Sequence, residues 1–151
     1  MTETFKKRGI KVKKGWGHEV IFESNNQYCM KQLCFDKVGY KSSMHFHKDK
    51  TETWLCLKGA VQVELMDMKD ASTSTIYINE GGVFHIDPMT PHQITCMADD
   101  TVILESSSKD TPEDNYRIRP GDSQKSREAA VEWPDNALDT FSTKRQEGYL
   151  K

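Results

Sequence analysis

The stretch "MHFHKDKTETW", from Met44 to Trp54, contains two of the five histidines of this 151-residue chain. Successive side chains of a β-strand point to opposite faces, so His45 and His47 would share one face, about 6 to 7 Å apart along the backbone. The polar residues after them are typical of a turn, and Glu52 would begin the next strand. If the two strands pair as a hairpin, the Glu52 carboxylate returns to the imidazoles. The stretch therefore predicts a metal site, and the alternative is two surface histidines beside a charged turn.

Short alternations of apolar and polar residues, separated by turn residues, extend on both sides of this stretch, from about residue 10 to residue 118. Glycine and proline interrupt them at hairpin distances, and no helical period is evident. Near the N-terminus, basic residues alternate with Ile10 and Val12, as in an edge strand with one wet face. We therefore predict an all-β sandwich or barrel with its N-terminal strand over residues 1–120. A polar C-terminal extension, interrupted by Pro134, would follow over residues 121–151.

The composition fits a single globular domain, with 36% hydrophobic and 29% charged residues. Lys and Arg total 21 against 23 acidic residues, and a formal net charge of -2 does not favour nucleic acid or an anionic membrane as partner. No apolar run approaches the length of a membrane span, and the first residues lack the apolar block of a secretory signal. These features predict a cytoplasmic protein with a small-molecule partner.

A regular frame of residues surrounds the two histidines. The order is Gly39, five residues, His45, one residue, His47, four residues, Glu52, six residues and Gly59. This frame matches the first motif of the cupin superfamily at every one of those positions, so the chain resembles a cupin.

A second block, "GGVFHIDPMTPHQITC", resembles the second cupin motif. Gly81 and His92 match its glycine and its histidine, whereas Asp87, Met89 and Cys96 stand where the motif has proline, glycine and asparagine. These departures affect the turn before the histidine and leave the ligand position intact. The resemblance implies a cupin double-stranded β-helix, which is a small jelly-roll barrel.

The cupin resemblance also implies a metal site on the inner wall of the barrel, formed by His45, His47, Glu52 and His92. Such a set leaves one or two positions open on a five- or six-coordinate ion, as catalysis or ligand binding requires. Mixed nitrogen and oxygen ligands suit zinc, manganese, iron or nickel, and the sequence does not select among them.

Among cupins, residues 14 to 118 most resemble the small single-domain relatives of the C-terminal cupin half of type II mannose-6-phosphate isomerases. That resemblance implies Glu105 and Lys31 as catalytic candidates and Arg117 as a ligand for a phosphate or for the enediolate intermediate. The chain departs from that family at His45, where glutamine is usual, and after Arg117, where it reads "IRPGDSQ".

Three functions are compatible with these motifs. The first is isomerisation of a sugar or a sugar phosphate, assisted by a divalent ion that binds the substrate oxygens. The second is iron-dependent dioxygenation, which a histidine-rich site favours, and the third is non-catalytic binding of a sugar or another small acid. The fold alone supports all three, because function depends on the site.

The alternation of side chains along these strands also predicts whether the protein forms a dimer. With His45 and His47 facing inward, Met44 and Phe46 would face outward, and Leu55 and Leu57 of the next strand would do the same. An outer sheet face with several apolar residues is unfavourable in water. We therefore expect a homodimer, with the chain's own terminal segments as the alternative cover.

Overall fold

The computed structural model describes residues 9–125, and these form eleven β-strands, a short 3-10 helix at Pro112–Asp114 and the short helix α1 at Asp122–Lys125. The strands are β1 (Ile10–Lys14), β2 (Gly17–Ser24), β3 (Tyr28–Phe35), β4 (Met44–Phe46), β5 (Glu52–Lys58), β6 (Ala60–Met66), β7 (Thr73–Asn79), β8 (Val83–Ile86), β9 (His92–Cys96), β10 (Thr101–Ser108) and β11 (Tyr116–Arg119).

The strands form two antiparallel sheets. Sheet I has the order β1-β2-β3-β10-β5-β8, and sheet II has the order β11-β4-β9-β6-β7. The predicted all-β barrel is confirmed, including the edge position of β1. No helix in the described part of the chain is long and apolar enough to cross a membrane.

The core forms between the two sheets because each strand turns alternate residues inward. On β10, the inward row runs from Thr101 and Ile103 to Glu105, so one strand is apolar in its middle and charged towards its end. Trp16 stacks on Phe35 with ring centroids 4.4 Å apart. The buried core residues are Trp16, Leu33, Phe35, Trp54, Cys56, Val61, Val63, Ile78, Ile86, Ile94, Cys96 and Ile103.

The expected hairpin between the histidine strand and the glutamate strand is wrong. Strand β4 lies in sheet II between β11 and β9, whereas β5 lies in sheet I between β10 and β8. The chain crosses from one sheet to the other at residues 47–51, where the backbone N–H groups of Lys48, Asp49 and Lys50 donate to the Asp114 carboxylate. As a result, Glu52 faces the histidines across the barrel and is not beside them on one sheet.

The outer faces of β4 and β5 differ in part from the prediction that their apolar residues are exposed. Met44 is fully buried, and Phe46 is half-buried and stacks on Tyr116 of the neighbouring strand β11, with ring centroids 5.1 Å apart. On the other sheet, Leu55 is half-buried and Leu57 is exposed. The apolar outer surface of these strands therefore belongs to sheet I.

The first residues of the C-terminal extension pack closely on the barrel. A Cβ at Gly121 would lie 2.2 Å from the Ser42 carbonyl carbon, and one at Gly15 would lie 2.1 Å from the Asp122 carbonyl oxygen, so both positions require glycine. The Asp122 carboxylate accepts a hydrogen bond from the Lys41 N–H at 2.7 Å. The predicted extension begins in contact with the barrel, and its residues 126–151 lie outside the described residues.

Candidate metal centre and active site

Three histidines meet on the inner face of sheet II. His45 on β4 is the direct cross-strand partner of His92 on β9, and His47 follows β4 immediately. One ring nitrogen of each histidine lies within 4.8 Å of those of the other two. The ring centroids of His45 and His92 are 4.6 Å apart, and those of His45 and His47 are 5.1 Å apart. Such a cluster is close enough for a metal site.

Each ring has its Nδ1 against a main-chain carbonyl oxygen. The pairs are His45 with Ser43 at 3.0 Å, His92 with Thr90 at 2.9 Å, and His47 with Asp114. A carbonyl oxygen only accepts hydrogen bonds, so Nδ1 must donate and a neutral ring has its lone pair on Nε2. The backbone thereby fixes in all three rings the tautomer and orientation that a metal ligand needs.

Two of the rings, those of His45 and His47, are also held in the neutral form. Burial, together with the neighbouring His92, lowers the pKa of His45 to about 3. Burial and then the Lys50 ammonium lower the pKa of His47. Neutral imidazoles at physiological pH have free lone pairs, which metal binding requires.

Glu52 approaches the histidines from the opposite sheet. Its Oε2 lies 3.3 Å from His92 Nε2, and its Oε1 lies 3.6 Å from His47 Nε2 and 2.8 Å from Lys50 Nζ. Burial alone would raise the pKa of Glu52, but a proton on Nε2 of the facing His92 and the Lys50 ammonium outweigh it and hold this pKa well below its usual range. Glu52 is therefore an ionised carboxylate at the centre of the protein.

Two buried atoms at this contact suit a cation. Glu52 Oε2 and His92 Nε2 face each other without a hydrogen-bond partner of suitable geometry among the described residues. Because the Nδ1 of His92 carries the proton, both facing atoms are acceptors, and only a proton or a metal ion between them would satisfy both. The residues present therefore fit a divalent ion.

Beyond Glu52 lies a buried network of charges. Lys50 Nζ contacts Glu105 and Asp110, each at 3.1 Å, and Lys31 Nζ contacts Asp110 at 3.0 Å, Glu105 at 3.5 Å and Glu19 at 3.7 Å. Buried ion pairs are costly unless each charge has several partners, and here the two lysines bridge the carboxylates. With Glu52 included, the two buried lysines face four carboxylates, so the network has an excess of negative charge. At the rim, Lys14 Nζ also contacts Glu19 at 3.6 Å.

The carboxylates of this network differ in pKa because their surroundings differ. Burial raises the pKa of Glu105, and the negative Glu52 adds to this effect against the opposing influence of Lys31. Asp110 is less enclosed, and the two lysines lower its pKa to about 2 in spite of burial. The lysine pKa values of Lys31 and Lys50 are both raised, because the carboxylates outweigh the desolvation that would lower them. Glu105 is therefore the carboxylate of this pair that is better able to carry a proton near neutral pH.

All of these groups line one cavity of about 580 Å³, a size typical of small-molecule sites. Arg117 lines this cavity from β11, where it is the cross-strand partner of His45, and its side chain remains exposed. The structure thus brings the residues predicted from sequence around one space: His45, His47, Glu52, His92, Glu105, Lys31 and Arg117.

Sequence reasoning missed Lys50 and Asp110. Lys50 was assigned to the polar turn after the histidines, and Asp110 follows the last residue of β10 by two positions. Alternation predicts the inward face only within a strand, and both residues lie in loops that turn back into the cavity. The one available signal was that both loops adjoin predicted site residues.

The barrel of two antiparallel sheets, with three histidines converging on its inner wall, defines a cupin. The family model described as FdtA: WxcM-like, C-terminal, matches residues 7–126, and the chain belongs to this family.

Solved structures show the same fold. The capsular polysaccharide assembling protein CapF from Staphylococcus aureus is 18% identical with a TM-score of 0.67, over 76% of this chain and 35% of that chain. A single-residue variant of oxalate decarboxylase from Bacillus subtilis is 14% identical with a TM-score of 0.59, over 76% and 29%. KdgF from Halomonas sp. is 18% identical with a TM-score of 0.52, over 64% and 81%. The chain spans only about a third of the length of CapF. No curated protein sequence matches the chain.

The charge network predicts a specific pH dependence for an Asp110→Asn variant. Because the pKa of Asp110 is about 2 in the folded protein and 3.8 ordinarily, its ionised form stabilises the fold above pH 3.8. At about 1.4 kcal/mol per pKa unit, the variant should lose about 2 kcal/mol of unfolding free energy at neutral pH. This deficit should disappear as the pH falls from 3.8 to 2, in urea unfolding followed by circular dichroism on chelator-treated protein.

The matched control is Asp49→Asn, since Asp49 is an exposed aspartate beside Lys50 in the crossing turn. This variant should stay within about 0.5 kcal/mol of the parent, as surface substitutions usually do. Equal effects of the two substitutions at neutral pH would show that Asp110 does not stabilise the network.

Proposed function

We propose that the protein is a metal-dependent cupin isomerase that interconverts the aldose and ketose forms of a sugar or a sugar phosphate. The observation behind this proposal is that three converging imidazoles and an ionised carboxylate share a cavity with a second buried carboxylate, Glu105, whose pKa is raised. An aldose–ketose isomerase needs these two functions side by side, an electrophile for the substrate oxygens and a group that exchanges a proton. The motif resemblance to mannose-6-phosphate isomerases, and the polysaccharide role in CapF's name, support a carbohydrate substrate.

His45, His47 and His92 would hold the ion through Nε2, and Glu52 would supply an oxygen ligand. Zinc, manganese, iron and nickel all accept this donor set. Once bound, the ion would polarise the carbonyl and neighbouring hydroxyl oxygens of the sugar and so acidify the adjoining carbon-bound hydrogen.

Glu105 is the proposed general base. Isomerisation removes a proton from one carbon and returns it to the next, so one group must accept and then donate it. Burial raises the pKa of Glu105 towards the range where both steps are feasible. Lys50 at 3.1 Å and Lys31 at 3.5 Å hold its carboxylate in place and stabilise the ionised form.

Arg117 is the proposed binding residue for a substrate phosphate. Its planar guanidinium can form two parallel hydrogen bonds to a phosphate, and its exposed position at the cavity suits the distal end of a sugar chain.

We also propose that the protein is a cytoplasmic homodimer. On the outer face of sheet I, Leu55 lies between Leu104 on β10 and Val83 on β8. Val83 is 66% exposed and the nearby Leu57 is 43% exposed. An apolar strip across three strands is a self-complementary surface that a second copy would cover.

The first test combines metal analysis by mass spectrometry with an anaerobic assay against hexose and pentose phosphates and their unphosphorylated sugars. We expect a bound divalent ion and turnover without oxygen, which chelation abolishes and zinc or manganese restores. The His47→Ala/His92→Ala double variant should lose both metal and turnover while keeping its circular dichroism spectrum.

Other results would assign a different function. Bound iron with substrate oxidation only in the presence of oxygen would identify a dioxygenase. Sugar binding without turnover in either atmosphere would identify a binding module, and either result contradicts the isomerase proposal.

The Glu105→Gln variant tests the general base. Because glutamine keeps the shape but cannot accept a proton, kcat should fall by about 10²- to 10⁴-fold with little change in metal content. Glu19→Gln is the matched control, since Glu19 is a partly buried carboxylate of the same network at 3.7 Å from Lys31. We expect it to lower kcat less than tenfold in the same assay, and equal losses in both variants would remove Glu105 from this role.

The Arg117→Ala variant tests phosphate recognition. Loss of charge-assisted hydrogen bonds should raise KM for a phosphorylated substrate by about 10- to 100-fold and leave KM for the unphosphorylated sugar unchanged. Arg119→Ala is the control on the same strand, because Arg119 pairs with Glu64 at 2.9 Å and does not line the cavity. A similar KM increase for both sugars would argue against a phosphate contact.

A further inference from the structure

Lys50 is the group that joins the histidine cluster to the network of buried charges. Its ammonium lies 2.8 Å from Glu52 Oε1 and 3.1 Å from both Glu105 Oε2 and Asp110 Oδ1. The side chain is 2% exposed, so a fixed positive charge stands beside the one carboxylate that faces the histidines.

The position of this lysine is set by the same residue that fixes a histidine. The Asp114 carboxylate accepts hydrogen bonds from the backbone N–H groups of Lys48, Asp49 and Lys50. The Asp114 carbonyl oxygen accepts the Nδ1–H of His47. The backbone of Lys50 and the ring of His47 are therefore held relative to each other, and the ammonium of Lys50 is held by its three carboxylate partners.

We infer that Lys50 is a resident cation of the centre, which competes with an incoming divalent ion for Glu52 and keeps the metal affinity low. This inference rests on the proposed metal-dependent function and concerns the affinity of that same site. One oxygen of Glu52 is already bound to the ammonium, so the ion meets three histidines and a carboxylate that is shared with a resident cation. An ion between the histidines and Glu52 Oε2 would also be repelled by the nearby ammonium.

Lys31 provides an internal comparison. It is a second lysine of the same network, but within 4 Å its carboxylate partners among the described residues are Glu19, Glu105 and Asp110, and Glu52 is not one of them. Removal of Lys31 changes the network charge as much as removal of Lys50 does, yet it leaves the contact with Glu52 intact. A difference between the two variants therefore reports on Glu52 itself.

The test is a Co²⁺ titration of chelator-treated full-length protein, followed by calorimetry and by the visible absorption of the bound ion. Lys50→Met should bind Co²⁺ with a dissociation constant at least about tenfold lower than the parent, because the ion gains an unpaired carboxylate and loses a repulsive charge. Lys31→Met should stay within about threefold, and Lys50→Arg should resemble the parent. Addition of His92→Ala to Lys50→Met should abolish the gain.

Folded Lys50→Met protein that binds Co²⁺ as the parent does, or more weakly, would overturn the inference. If Lys50→Met does not fold, Lys50→Met/Glu105→Gln removes one charge of each sign and still frees Glu52, and the same tightening is expected. If the parent protein shows metal-dependent turnover but Lys50→Met binds Co²⁺ no more tightly, only the proposed role of Lys50 is refuted. Binding by Lys50→Met but not by the parent would support that role and refute the metal-dependent function, whereas no binding by either would refute both.

Discussion

The carboxylate of Asp114 holds the turn on which the whole centre depends. Three consecutive backbone N–H groups, from residue 48 to residue 50, donate to it, and its own carbonyl accepts from His47. A hairpin would satisfy these amides within one sheet, whereas here the chain leaves sheet II after His47 and joins sheet I at Glu52. The crossing places a carboxylate opposite the histidines, and at the same time it directs the Lys50 side chain into the barrel. One residue at the end of the short 3-10 helix, distant in sequence from the ligand turn, therefore determines the arrangement of both charge and metal donors.

The electrostatics of the cavity follow from this arrangement. Three backbone carbonyls accept the Nδ1–H of the imidazoles and orient them inward. Burial lowers the pKa of His45 and of His47, so these two rings contribute lone pairs and no charge. The balance is then decided between the buried lysines and the carboxylates, and the carboxylates are in excess. A low-dielectric interior does not tolerate such an excess without protonation of a carboxylate or arrival of a cation. The raised pKa of Glu105 is consistent with the first outcome, and the facing acceptors on Glu52 and His92 favour the second.

Much of the fold could be predicted from the sequence, because a two-residue period with regular turns requires little long-range information. The two-residue alternation also predicted which residues of β5 point inward, and Glu52 and Trp54 are indeed buried. It could not indicate which strands pair, so only the motif resemblance placed His92 in the same site as His45, and their direct pairing was not predicted. The supposed hairpin with Glu52 was wrong. The same period placed Met44 on the outer face, whereas Met44 is fully buried. It also gave no sign that β11, from the far end of the described residues, pairs with β4. Lys50 and Asp110 lie in loops, where no period applies.

The inward faces of the strands have an apolar part and a charged part. This division explains why membership of the family determines the fold but not the reaction. On β10, Ile103 packs in the apolar core, and Glu105, two residues further, faces the charged cavity. Because the core is built from residues of both sheets, it can hold the barrel together whatever the polar end contains. Substitutions at the polar end change which cations and protons the cavity holds without removing a core contact. Cupins that share this barrel at under 20% identity can therefore differ in chemistry, and the residues that decide it here are those that surround Glu52.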